Sequence, residues 1–146
     1  MARDYSTTPL PKKLGIGESS RVAVVGAPRG FAQSIGVSPR ARGAVDVLVF
    51  FTTRRAELER RLGSLAGRLE PAGGVWVAWP KKSADTPTDL SFEDVQRIGL
   101  AAGLVDNKSC TIDETWQALR FVIRREDRPA REAARRSGAR SAPPRA

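Results

Sequence analysis

The chain has 146 residues, 40% of them apolar and 28% charged, with a formal net charge of +9. This length predicts a single domain with a real core, and the sequence contains neither an apolar stretch of membrane-spanning length nor an export signal. Because the chain has no histidine and one cysteine, Cys110, we expect no bound metal, no internal disulfide and a cytoplasmic location.

The composition predicts three parts: an extended segment over residues 1–20 that packs on the domain, the domain itself over residues 21–124, and a basic, disordered tail over residues 125–146. More than half of the excess positive charge lies after residue 123. The tail could bind nucleic acid or another polyanion through its arginines, of which the candidates are Arg131, Arg135, Arg136 and Arg140. A solvated tail is the favoured interpretation, since no aromatic residue between them could stack on bases.

The first predicted strand, Val22–Val25, runs into the turn 26–31, of the type that follows the first strand of dinucleotide-binding and methyltransferase folds. Only two glycines are present, and Pro28 lacks an N–H, so a tight turn is favoured over a phosphate-binding loop. Residues 31–43 have room for a helical turn and a loop, which is barely enough for a crossover between parallel strands.

The central stretch predicts a βαβ unit. Val45–Phe51 and Val75–Trp79 are apolar runs of strand length, and an amphipathic helix over Arg54–Leu69 joins them. Its start would be capped by Thr52 or Thr53, and the sequence 70–74 would end it with proline and glycine. A parallel sheet covered on both faces follows from this pattern.

The last elements are predicted to close the sheet. Ser91 and Asp94 have the spacing of a capping box at the start of a helix that ends at Gly103. Leu104–Ile112 and Ala118–Arg124 then form an antiparallel pair, because the link between them is short. The fold class is therefore α/β, a three-layer Rossmann-like parallel sheet closed by an antiparallel C-terminal hairpin.

Several segments of the sequence resemble known families. The sequences 69–77 (LEPAGGVWV) and 101–105 (AAGLV) are similar to passages of the class I methyltransferase fold, here lacking its middle strands. The sequences 5–16, 24–28, 76–82 and 103–108 together resemble an actinobacterial family of domains of unknown function. The resemblance implies a fold and no particular activity.

Departures from the methyltransferase pattern shape the functional hypothesis. That family has an acidic residue in or after its first strand and another at the end of its second, where it binds the ribose of S-adenosylmethionine (SAM). Here the first strand has no acid, the second strand is missing, and Asp46 lies at the beginning of its strand, at the wrong edge of the sheet.

The sequence therefore favours a non-catalytic binding or regulatory module without a cofactor, acting on a small anionic ligand or a protein partner. The alternatives are a SAM-dependent methyltransferase and nonspecific nucleic-acid binding through the tail. Catalytic residues and oligomeric state are left unassigned.

A small-molecule site would lie beyond the carboxyl ends of the parallel strands, where three loops should meet. Four cations and a helix N-terminus in these loops would suit a phosphate or carboxylate, although lysines after a strand are as often simply solvated. The candidate ligand-binding residues are Gly26, Arg29, Gly30, Thr53, Arg54, Trp79, Lys81 and Lys82.

Overall fold

A five-stranded sheet organises the chain. The computed structural model describes residues 8–38 and 43–141, with side chains up to residue 134. The strands are β1 (Val22–Val25), β2 (Val45–Phe51), β3 (Leu69–Pro80), β4 (Leu104–Thr111) and β5 (Trp116–Ile123). The helices are α1 (Leu10–Lys13), α2 (Phe31–Ser34), α3 (Arg55–Ala66), α4 (Phe92–Ala101) and α5 (Arg128–Ser141), with a 3₁₀ turn at Arg125–Asp127.

The strand order is β1-β2-β3-β5-β4. The first three strands are parallel, and β5 runs antiparallel to both β3 and β4. This arrangement confirms the predicted α/β class with its closing hairpin. This chain lacks some strands of the methyltransferase fold, but β1 and β2 pair directly, so there is no gap between these two strands. The parallel centre of the sheet is therefore intact.

Two apolar layers cover the sheet. On one face, Leu58 and Leu62 of α3 and Val95 and Ile98 of α4 pack against the strands. On the other face, Leu14 and the residues around α2 pack in a second cluster, in which the rings of Phe31, Phe51 and Trp116 form edge-to-face contacts with centroids 4.8 and 5.0 Å apart. The N-terminal segment, predicted to be extended, contains the single helical turn α1, which holds Leu14 fully buried.

The two tryptophans of β3 lie on opposite faces, as the alternation of strand side chains predicts. Trp76 belongs to the α2-side cluster and Trp79 to the α3–α4 side. The buried indole N–H of Trp76 donates to the carbonyl of Leu14 at 3.0 Å, which ties the N-terminal segment to the sheet.

The sequence 70–74 is part of β3 rather than the predicted loop. Between the pairs Val45–Leu69 and Val47–Gly74 the register of β2 and β3 shifts, which marks a bulge. A side chain at Gly73 would lie 2.8 Å from the carbonyl oxygen of Asp46, so glycine allows the two backbones to approach. The helix α3 consequently ends earlier than predicted, at Ala66.

The C-terminal residues up to 141 form a helix, which differs from the disordered tail that the composition predicts. Arg131 donates from Nη1 to the carbonyls of Ala66 and Leu69, at 3.2 and 2.8 Å. These carbonyls lie where α3 ends and β3 begins, so a polar contact docks a helix that has too little apolar surface to dock by burial. In the described ranges, no helix has the length and apolar character needed to cross a bilayer.

Two helical glycines should respond in opposite ways to substitution by alanine. A Cβ at Gly99 of α4 would collide with the buried ring of Phe121, whereas one at Gly63 of α3 meets open space. Gly63→Ala should raise the free energy of unfolding by about 0.5–1 kcal/mol through helix propensity, and Gly99→Ala should lower it by about 1–3 kcal/mol through overpacking.

Urea denaturation of both variants beside the parent chain measures the difference. Equal stabilisation by the two alanines would contradict the packing of α4 on β5.

Candidate functional site

The carboxyl ends of β1, β2 and β3 meet at one edge of the sheet, because the three strands are parallel. Three loops leave this edge: the turn after β1, residues 52–54 before α3, and residues 81–91 before α4. All the candidate ligand-binding residues predicted from the sequence belong to these loops or to the last residues of β3.

The turn after β1 contains two glycines with different roles. Gly26 has φ +71°, and a side chain there would lie 2.7 Å from the carbonyl oxygen of Phe51, so the chain's own backbone fills the space. Gly30 has φ +86° and faces open space. Beside it lies a cavity of about 300 Å³ lined by Val24, Ala27, Pro28, Gly30, Ala32 and Gln33.

A carboxylate from another loop of the chain caps the N-terminus of α3. The backbone N–H of Arg55 donates to Oδ1 of Asp89 at 2.7 Å, while the carbonyl of Thr53 accepts from Oγ1 of Thr88 at 2.7 Å. Thr52, one of the two predicted caps, instead donates from Oγ1 to the carboxylate of Glu57 at 2.6 Å. The loop before α4 therefore supplies the negative charge that the sequence analysis assigned to a ligand at this helix N-terminus.

The four candidate cations lie on the three loops of this edge. Arg29, Arg54 and Lys82 are exposed, and Lys81 is half-buried. Within the part of the chain that the structure describes, none of these side chains has a hydrogen bond or an ion pair; the backbone N–H of Lys81 donates to the carbonyl of Thr115 at 2.8 Å. The four charges are available to an external anion, and their role in binding stays a prediction.

Trp79 lines a larger cavity that the sequence analysis did not find. Its ring is 2% exposed and lies 6.2 Å from that of Phe92. The cavity has a volume of about 490 Å³ and is bounded by residues of α1, α4, β4 and β5 as well as β3. Such residues are far apart in the sequence and follow no motif, so only the folded chain brings them together.

Carboxylates are scarce around the turn after β1. Residues 22–43 contain no aspartate or glutamate. Asp46 lies at the amino end of β2, where its Oδ2 accepts from the N–H of Arg21 at 2.9 Å. Asp113 accepts from the N–H groups of Thr115 and Trp116 in the hairpin turn. Among the described residues, no carboxylate therefore lines the 300 Å³ cavity in the role that binds a ribose in the methyltransferase pattern.

Two further predictions concern Cys110 and the arginines of the basic tail. Burial raises the pKa of the Cys110 thiol, and the nearby ammonium groups of Lys13 and Lys108 only partly oppose this effect, so the thiol stays protonated at neutral pH. Arg131, a candidate nucleic-acid contact, bonds to backbone carbonyls of the domain. Arg135, Arg136 and Arg140 lie in α5, but their side chains are outside the described residues.

Comparisons with known proteins point to one fold. No protein-family profile and no curated protein matches the sequence. Among solved structures, a SAM-dependent methyltransferase from Aquifex aeolicus is similar over 79% of this chain and 88% of its own, with 14% identity and a TM-score of 0.61. The mitomycin 7-O-methyltransferase MmcR is similar over 72% of this chain and 49% of its own, with 11% identity and a TM-score of 0.56.

A third structure, LepI in complex with SAH and a substrate analogue, is similar over 82% of this chain and 48% of its own, with 11% identity and a TM-score of 0.55. The chain thus spans about half the length of MmcR and of LepI. These likenesses show a methyltransferase-like fold.

The comparisons contradict two predictions from the sequence, the non-catalytic module and the absence of a cofactor. Similar structures are SAM-dependent methyltransferases or hold SAH, which favours the alternative of a SAM-dependent methyltransferase. The prediction gave too much weight to the missing strands, whose absence leaves the carboxyl-end edge of β1, β2 and β3 in place.

Asp89 should stabilise α3 as a distant cap. Asp89→Ala removes the acceptor of the Arg55 N–H and should lower the free energy of unfolding by about 1 kcal/mol. Asp89→Asn keeps a capping oxygen and should restore most of the loss.

Urea denaturation of the two variants measures these changes. Replacing Lys81 and Lys82 together by alanine is the matched control in the same loop and should leave stability almost unchanged; an alanine at residue 89 without effect would contradict the cap.

Proposed function

We propose that the chain binds SAM and is a SAM-dependent methyltransferase. The observation that carries the proposal is the similarity to two methyltransferases over 72% and 79% of the chain, together with the similarity to the SAH complex of LepI over 82%. A parallel sheet with its ligand edge intact supports it, because open α/β sheets bind ligands beyond the carboxyl ends of their strands.

The cavity beside Gly30 is the proposed cofactor site. Its volume of about 300 Å³ is at the lower end for a small-molecule site, and its lining is mostly apolar. The exposed Gly30 backbone lets a ligand approach closely, and Arg29 on the same turn would attract the carboxylate of the methionine part. When bound, SAM supplies an electrophilic methyl group on its sulfonium sulfur.

The ribose of SAM would be bound differently from the methyltransferase pattern, in which a carboxylate binds it. Since none of the described residues that line the cavity is a carboxylate, we assign the contact with the ribose hydroxyls to the carboxamide of Gln33, the polar side chain in its described lining. An amide forms weaker hydrogen bonds than a carboxylate, so the proposal implies modest affinity for SAM. A cytoplasmic location remains part of the proposal, supported by the single cysteine.

The proposal predicts that SAM and SAH bind the purified chain, and that Ala32→Phe blocks binding. Ala32 is half-buried and lines the cavity, so a phenyl group there would fill it and should lower the affinity for both ligands at least about tenfold, equivalent to 1.4 kcal/mol. Isothermal titration calorimetry measures the affinity, and the rise in melting temperature with ligand gives an independent readout.

The matched control is Ala101→Phe, which places the same side chain at an exposed residue beside a different cavity, between α3 and α4. It should bind SAM as the parent chain does. Absence of SAM and SAH binding to the folded parent chain would reject the proposed function, and equal loss in both variants would reject this site.

A further inference from the structure

A second cleft lies where β4 ends and β5 begins, at the edge of the sheet. It has a volume of about 490 Å³, within the range of sites for small organic ligands. The side chains that matter for its chemistry are two aromatic rings, one ammonium group and three neutral polar groups, namely Trp79, Phe92, Lys13, Ser109, Thr111 and Gln117.

The aromatic wall is only half covered by the protein. Trp79 is 2% exposed, whereas Phe92, whose ring lies 6.2 Å away and is tilted by 59°, is 43% exposed. Leaving a phenyl ring in water forgoes its burial energy, which a flat ligand against these rings would recover. The wall therefore fits a planar apolar group.

The indole N–H of Trp79 lacks an acceptor among the described residues, although the side chain is almost fully buried. The equally buried Trp76 satisfies its N–H with the carbonyl of Leu14 at 3.0 Å. Buried N–H groups nearly always have an acceptor, and because Trp79 lines the cleft, a molecule bound there can supply one.

The ammonium of Lys13 supplies the charge. Its Nζ donates to the carbonyl of Thr111 at 3.2 Å, which holds it at the rim of the cleft, and no described carboxylate pairs with it. The carboxamide of Gln117 is held nearby by a hydrogen bond to the carbonyl of Pro80 at 3.4 Å. One cation among neutral groups balances a single negative charge, as on a carboxylate.

We propose that this cleft binds a small aromatic carboxylate. The ring of the ligand packs against Trp79 and Phe92, and its oxygens accept from the ammonium of Lys13 and the indole N–H of Trp79. The site is separate from the cavity beside Gly30, and the proposal does not depend on SAM binding.

Naphthoate and its neutral analogue naphthalenemethanol test the proposal by calorimetry on the full chain. Lys13→Gln should weaken naphthoate about tenfold and leave naphthalenemethanol unchanged, as expected for the loss of one charge-assisted hydrogen bond. Lys12→Gln, on the exposed neighbouring lysine, is the control. Phe92→Ala should weaken both probes, whereas Leu100→Ala, which removes an equally exposed side chain from the same helix outside the cleft, should weaken neither.

NMR provides a readout of the hydrogen bond, through the direction in which the indole resonance moves. Naphthoate should shift the indole N–H resonance of Trp79 downfield and leave that of Trp76 in place, since Trp76 already has its acceptor. The proposal is overturned if naphthoate binds no tighter than naphthalenemethanol, if Lys13→Gln and Lys12→Gln bind naphthoate equally, or if the Trp79 resonance does not respond.

Discussion

The structure depends on β3, which is hydrogen-bonded on both sides and buried on both faces. It pairs with β2 in parallel and with β5 antiparallel, so it is the strand at which the direction of the sheet changes. Its residues 73–80 are all buried. With Trp76 under one layer and Trp79 under the other, one strand joins the two apolar clusters, and Trp79 also lines the 490 Å³ cavity.

The loop between β3 and α4 supplies the anion that binds at the N-terminus of α3. A helix N-terminus and nearby cations favour an anion wherever they occur, and here Asp89 is that anion. The capping interaction also fixes the loop over the start of α3 through Thr88. The two cavities lie on the flanks of this edge, one beside the turn after β1 and the other beside the end of β4.

The two flanking cavities differ in the chemistry that they offer. The one at Gly30 is lined by apolar residues, a glycine backbone and the side chain of Gln33, and an exposed arginine lies on the same turn. The one at Trp79 has an aromatic wall, a buried N–H without an acceptor among the described residues and a lysine held by a backbone carbonyl.

The sequence by itself determined the elements whose signals are local. Apolar runs and the leucine stripe placed β2, α3 and the buried part of β3, and the spacing of Ser91 and Asp94 placed the start of α4, where the capping box is observed. The tertiary structure decided everything that depends on distant contacts: the bulge at the start of β3, the Asp89 cap, the docking of α5 by Arg131, and the cleft between Lys13 and Trp79. Periodicity reports which face of an element is buried, but it carries no information about which remote polar group will satisfy a helix end or line a cavity. Those pairings exist only once the sheet has brought the segments together.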